Sequence, residues 1–187
     1  MNHYSIFRPA VLITVLALAG STALTSCQKD VVLKTLDVKL VKEVVLDIDA
    51  DDSLVGAWTR ELVPNDNTDI NDNRRKIKKV VIERLSYRVS QFIGAPDTKG
   101  SGTWKFYLTD TPAEVFTLGT VTNLDLKVLA DNGTVSDLAI SEDGKAKIVD
   151  AINSNRAVTF VFDGNVTTRP SYTRFELQVF TKVDVGV

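Results

Sequence analysis

The chain has 187 residues, 44% of them hydrophobic, and 22 Lys and Arg against 24 Asp and Glu leave a net charge of −2. That length supports one domain with a full core, and the mild acidity argues against a nucleic-acid partner, which demands clustered cations. The only histidine, His3, and the only cysteine, Cys27, both lie at the beginning. Everything after position 27 therefore lacks the groups for Ser-His-Asp or Cys-His catalysis and for zinc sites built from His or Cys.

Residues 1–26 show the three parts of an export signal. A polar start through Pro9 carries Arg8, Ala10 to Ala19 is apolar, and Gly20 to Ser26 is a run rich in small residues. The apolar stretch falls well short of the roughly 20 residues a bilayer-spanning helix needs. Leu24-Thr25-Ser26-Cys27 resembles the lipobox of bacterial lipoprotein signal peptides. The resemblance implies cleavage before Cys27, a diacylglycerol on its sulfur and acylation of the new amino terminus. Several acyl chains hold a protein stably on a membrane, because each buried methylene contributes about 0.8 kcal/mol. Gln28 rather than Asp follows the cysteine, which points to the outer membrane. Lys29-Asp30 partly resembles the surface-export signal of Bacteroidetes-type lipoproteins, with Val31 where a second acid belongs. Residues 27–33 read as lipidated terminus and tether, and 34–187 as a single domain.

Along that domain the dominant period is two, the signature of strands with one buried face. Leu36, Val38 and Leu40, then Val44, Leu46 and Ile48, give one long or broken strand. Asn65 to Asn73 reads as a loop, and Arg74-Arg75-Lys76 with Lys78-Lys79 as the solvated start of a strand. Val80 and Ile82 are out of phase with Leu85, Tyr87 and Val89, so a β-bulge is expected near Glu83-Arg84. Trp104, Phe106 and Leu108 form another strand. Leu124, Leu126 and Val128 read as a strand running into Asp131-Asn132-Gly133, a hairpin signal. Glu142 to Asn153 places Ala146, Ile148, Val149 and Ile152 at helical spacing. Val158, Phe160 and Phe162 precede a turn at Asp163-Gly164-Asn165. The closing strand alternates from Arg174 to Val187, with only Phe180 out of character on the polar side.

Many short strands with one helix predict an all-β antiparallel sandwich, jelly-roll-like in form. The order of Ile77 to Val89, Phe92-Ile93-Gly94, the helix, Asp163-Gly164-Asn165 and the closing strand resembles uncharacterised β-sandwich lipoproteins of the Bacteroidetes type, a resemblance that supplies no catalytic residues. A second likeness competes with it. Gly56-Ala57-Trp58 resembles the Gly-x-Trp signature of lipocalin-like barrels, which implies a β-barrel and a small-ligand carrier.

Two acidic stretches are calcium candidates, since alternate Asp residues can turn several oxygens inward: Asp47, Asp49 and Asp51, and Asp69 with Asp72. Asp and Asn are equally the ordinary residues of turns. Tyr107 and Tyr172 are candidate platforms for stacking on sugar rings. No Gly-x-Gly-x-x-Gly, phosphate-loop or Gly-x-Ser-x-Gly pattern occurs. The expectation is a monomeric, non-catalytic binding or structural module without cofactor. It is held by lipid at the outer membrane, on the cell-surface or periplasmic face, and takes a protein partner or, as a module of a polysaccharide-uptake system, a glycan, rather than nucleic acid.

Overall fold

The computed structural model describes residues 32–187; the signal segment, the lipobox with Cys27 and residues 28–31 lie outside them. Residues 32–187 belong to one compact unit. Strand β8 (Ser171–Gly186) buries Phe175, Leu177, Val179, Thr181, Val183 and Val185, and turns Arg174, Glu176, Phe180 and Lys182 to the outer face. That is the alternation a sheet packed on one side requires. β8 pairs with β1 (Leu33–Ile48) along its whole length, from Leu33 opposite Gly186 to Ile48 opposite Ser171. Its other neighbour is β3 (Ile77–Ile93), whose register shifts between Ile82 and Arg84. This is the expected bulge. The extra residue lets Val80 and Ile82 share the buried face with Leu85, Tyr87 and Val89.

The short β6 (Val135–Leu138) completes a first sheet of order β1-β8-β3-β6. A second sheet joins β2 (Val55–Leu62), β7 (Val158–Val166), β4 (Lys99–Leu108) and β5 (Thr111–Asp125) in the order β2-β7-β4-β5. Every pairing is antiparallel. Consecutive strands alternate between the two four-stranded layers except at the β4–β5 pair, and this order is the jelly roll, as the sequence predicts. The sheets do not close on each other, which overturns the lipocalin-like barrel. Trp58 lies half-buried at the rim of the core, its ring centroid 6.3 Å from that of Phe162.

Two adjacent rows cross the inner face of the second sheet. Trp58, Phe162 and Trp104 stand opposite one another on β2, β7 and β4, and two residues along each strand so do Gly56, Gly164 and Gly102. The large rings occupy the space the glycines leave. A Cβ on Gly56 would lie 3.0 Å from the Trp58 ring, and one on Gly102 2.6 Å from the Phe162 ring. At Gly164 the backbones themselves are close, with the Ser101 carbonyl oxygen standing where a Cβ would go. Across the sandwich, Phe175 meets Trp104 edge-on at 5.4 Å, and Tyr87 stands 5.7 Å from Trp104. Such aromatic pairs contribute about 0.5–1.5 kcal/mol each beyond the area they bury.

The expected helix is α3 (Glu142–Ser154), capped by the Ser141 side chain accepting from Gly144 N–H, with Ile148 and Ile152 buried. Two further helices depart from the sequence reading. The Asn65–Asn73 stretch is not a plain loop: after a 3-10 turn at Pro64–Asp66 comes α1 (Thr68–Asn73), where Asn67 Oδ1 accepts from Ile70 N–H and Ile70 is fully buried. Leu126–Asn132 is helix α2 rather than strand and hairpin. Asp125 accepts from Val128 N–H at its start, and Gly133 at φ 60° terminates it in the left-handed conformation, so the glycine serves as a helix stop instead of a turn. Asp163-Gly164-Asn165 likewise stays within β7, because the glycine row needs it there. Arg74, in a 3-10 turn at Arg74–Lys76, reaches the Ile152 and Asn153 carbonyls at the end of α3 at 3.5 and 3.3 Å.

Gly164→Ala should lower the unfolding free energy by about 2–3 kcal/mol, as overpacking of a close backbone contact does. Gly133→Ala, with nothing within 4 Å of its Cβ position, should cost only about 1 kcal/mol through its backbone conformation. Urea denaturation of both variants checks the order.

Candidate functional site

The jelly-roll path gathers four connections at the end of the sandwich away from the start of β1. They are the β1–β2 turn, the β3–β4 turn, α2 and the β7–β8 turn. Hydrogen bonds tie them together: Val166 N–H donates to Leu54 O, Thr167 N–H to Lys99 O, and Lys99 N–H to Thr167 Oγ1. Arg169 donates to the Asp52 carbonyl, and the Thr98 and Thr168 hydroxyls bond to each other.

On the outer face of the first sheet, next to this end, cross-strand register brings together side chains distant in sequence. Tyr172 stands between Asp47 and Ile93, and two residues further along β8 Arg174 stands between Val45 and Gln91. The next row places Glu176 between Glu43 and Arg88. A cleft of about 180 Å³ is lined by Asp47, Asp49, Ile93, Gly94, Pro170 and Tyr172. A neighbouring hollow of about 300 Å³ holds Glu43, Arg88, Ser90, Arg174 and Glu176 beside Gly133.

Arg174 links the two. Its Nη2 donates to the Tyr172 hydroxyl at 2.9 Å, its guanidinium lies 5.9 Å from the ring centroid, and Nη1 is 3.6 Å from a Glu43 oxygen. These contacts, the Tyr172 bond first, hold the Arg174 pKa above its usual value. Arg88 grips Glu176 with two parallel bonds of 2.8 Å, a fork-to-fork geometry. Those bonds hold the Glu176 carboxyl below its usual value and raise Arg88. The result is a ring held in place beside fixed donors and acceptors. It can stack on an apolar ring face while the carboxylates and guanidinium groups bond to hydroxyls. That combination suits a polyhydroxylated ligand.

Tyr172 thus belongs to this site. Tyr107 does not: it sits on β4 in the second sheet, in a separate hollow with Arg60 and Thr159, so the two tyrosines form no common platform. The acidic candidates also stay apart. Asp47, Asp49 and Asp51 surround the β1–β2 turn, where Asp52 Oδ2 accepts from Asp49 N–H at 2.9 Å, while Asp69 and Asp72 are exposed on α1. Among the described residues no three His, Cys, Asp or Glu side chains converge as a metal site. Arg88, Arg174, Glu43 and Glu176 were not singled out from the sequence. Phe180 was, as the apolar residue on a polar phase, and Arg84 and Lys39 lie over its ring at 4.3 and 5.4 Å.

No protein-family model matches the chain, and no curated protein matches it. Solved structures with some likeness include viral ones. The BFDV capsid protein, crystallised as a decamer, is 11% identical with a TM-score of 0.39, over 80% of this chain and 99% of its own. A semi-empty virus-like particle of Macrobrachium rosenbergii nodavirus gives 8% and 0.40, over 83% and 95%. Cocksfoot mottle virus gives 13% and 0.37, over 99% and 97%. At these values no residue role or activity passes from them to this chain.

Because Glu176 ionises more readily folded than unfolded, its pairing stabilises the fold above the ordinary carboxylate pKa of 4.5. That stability is lost as pH falls through the lower folded value. Glu176→Gln should therefore flatten the pH dependence of the melting temperature below about pH 4.5, a change thermal melts from pH 7 to 3 would show.

Proposed function

We propose that this chain is a lipid-anchored module of the outer membrane that binds a partner or ligand without catalysing a reaction. The observation that carries the reading is Leu24-Thr25-Ser26-Cys27, placed after an apolar segment and a few residues before the first strand. The domain supports a binding role more than a catalytic one. It has no imidazole or thiol after position 27, and the acids of its outer-face hollow are held against arginines. No helix among the described residues is long and apolar enough to cross a membrane.

Within this reading, the Tyr172 cleft favours a glycan as the ligand. Its aromatic ring, flanking carboxylates and fixed guanidinium match what a sugar presents, namely apolar ring faces rimmed by hydroxyls.

Cells grown with labelled palmitate should yield a labelled protein in the membrane fraction, and Cys27→Ser should abolish label and move the protein to the soluble fraction. An unlabelled product would refute the anchor. On a glycan array the protein should give hits that Tyr172→Ala weakens at least tenfold, about 1.4 kcal/mol of lost stacking; an array without hits would remove the glycan reading.

A further inference from the structure

We infer that the end of the sandwich at which β1 starts is itself a membrane-contact surface, a cluster of cations that binds the phosphates of an anionic lipid surface. The inference rests on the lipid-anchored reading for its biological setting, but its evidence is separate. The first sheet begins with Leu33, Lys34 and Thr35 of β1 beside Gly186, Val185 and Asp184 of β8. On the far side of β8, Ile77 lies opposite Val185 and Lys79 opposite Asp184. The register shift between Ile77 and Lys79 leaves Lys78 unpaired on β3, and Arg75 and Lys76 immediately precede this strand. Lys34, Arg75, Lys76, Lys78 and Lys79 are all exposed at one end of one sheet.

None of these five cations forms an ion pair among the described residues. Fewer acids than cations stand nearby, and one of them is paired. Asp184 accepts from the Thr35 hydroxyl at 2.7 Å, Glu83 holds Lys182 at 2.6 Å, and Asp37 acts on the same Lys182. Asp69 and Asp72, exposed on α1 just before Arg75, form no ion pair among the described residues. A chain with a net negative charge thus concentrates unpaired positive charge at one place.

That place is the one a membrane anchor would hold closest to the bilayer. Cys27 precedes Leu33 by six residues, which span at most roughly 20 Å when fully extended. Attraction of cations to an anionic surface acts within about a Debye length, near 8 Å at physiological ionic strength. A tether this short keeps the cluster within repeated reach of the headgroups. Lipid and cations then act together, each raising the effective concentration of the other.

The test uses unlipidated protein comprising residues 28–187, which contains the eight strands of the described residues and their shared core, so its outcome does not depend on the anchor. Vesicles of phosphatidylcholine with 30% phosphatidylglycerol, roughly the charge density of an anionic leaflet, are sedimented with the protein at low salt, beside pure phosphatidylcholine vesicles. The expected result is binding to the anionic vesicles alone, weakened at least tenfold in Lys76→Gln/Lys78→Gln/Lys79→Gln. A control triple, Lys99→Gln/Lys105→Gln/Lys127→Gln, removes the same charge elsewhere and should bind like the parent; thermal melts confirm that all three proteins are folded. Equal binding to both vesicle types, or equal weakening by both triples, would overturn the inference. Palmitate labelling decides the anchor independently.

Discussion

The contact on which this fold depends is the close approach of β7 to β4 and β2 across three glycines. Gly164 has no room for a Cβ because the neighbouring backbone already stands there, and Gly56 and Gly102 are roofed by the rings of Trp58 and Phe162. The hollow left by one row receives the aromatics of the next, and Trp104, fully buried, extends the contact to Phe175 and Tyr87 in the opposite sheet. A two-residue slip of β7 would keep every side chain on its proper face yet drive Phe162 into the space reserved for hydrogen. Alternation alone cannot forbid that slip. The glycine row does.

The strands were the most legible part of the chain, because period-two alternation follows directly from burial of one face. The bulge on β3 could be read from the phase change between Ile82 and Leu85, since both sides of the change had to remain buried. Short segments were less legible. Leu124 to Val128 alternates over only five positions, which suits a strand end or a helix turn equally; the choice fell to Asp125 as a cap and Gly133 as a left-handed stop. Asp163-Gly164-Asn165 has the composition of a turn, yet Gly164 is required by a packing constraint from two other strands.

The candidate site was less legible still, for a reason of the same kind. Tyr172 could be singled out as a ring near a turn, but its partners come from β1 and β3. Glu176 meets Arg88 only because β3 pairs with β8 in one register, and of the three shifts in that register periodicity reveals only the one near Glu83-Arg84. Side-chain type predicts which face a residue occupies. It does not predict who stands beside it across the strands.

The pairing of β1 with β8 along sixteen residues also bears on how the domain carries load. Ladder hydrogen bonds lie perpendicular to the strands, so a pull between the start of β1 and the far turns acts across them as shear. All of them share the strain at once, instead of parting one by one like a zip. A bead held at one tip of such a sandwich and tugged from the other would meet its stiffest axis.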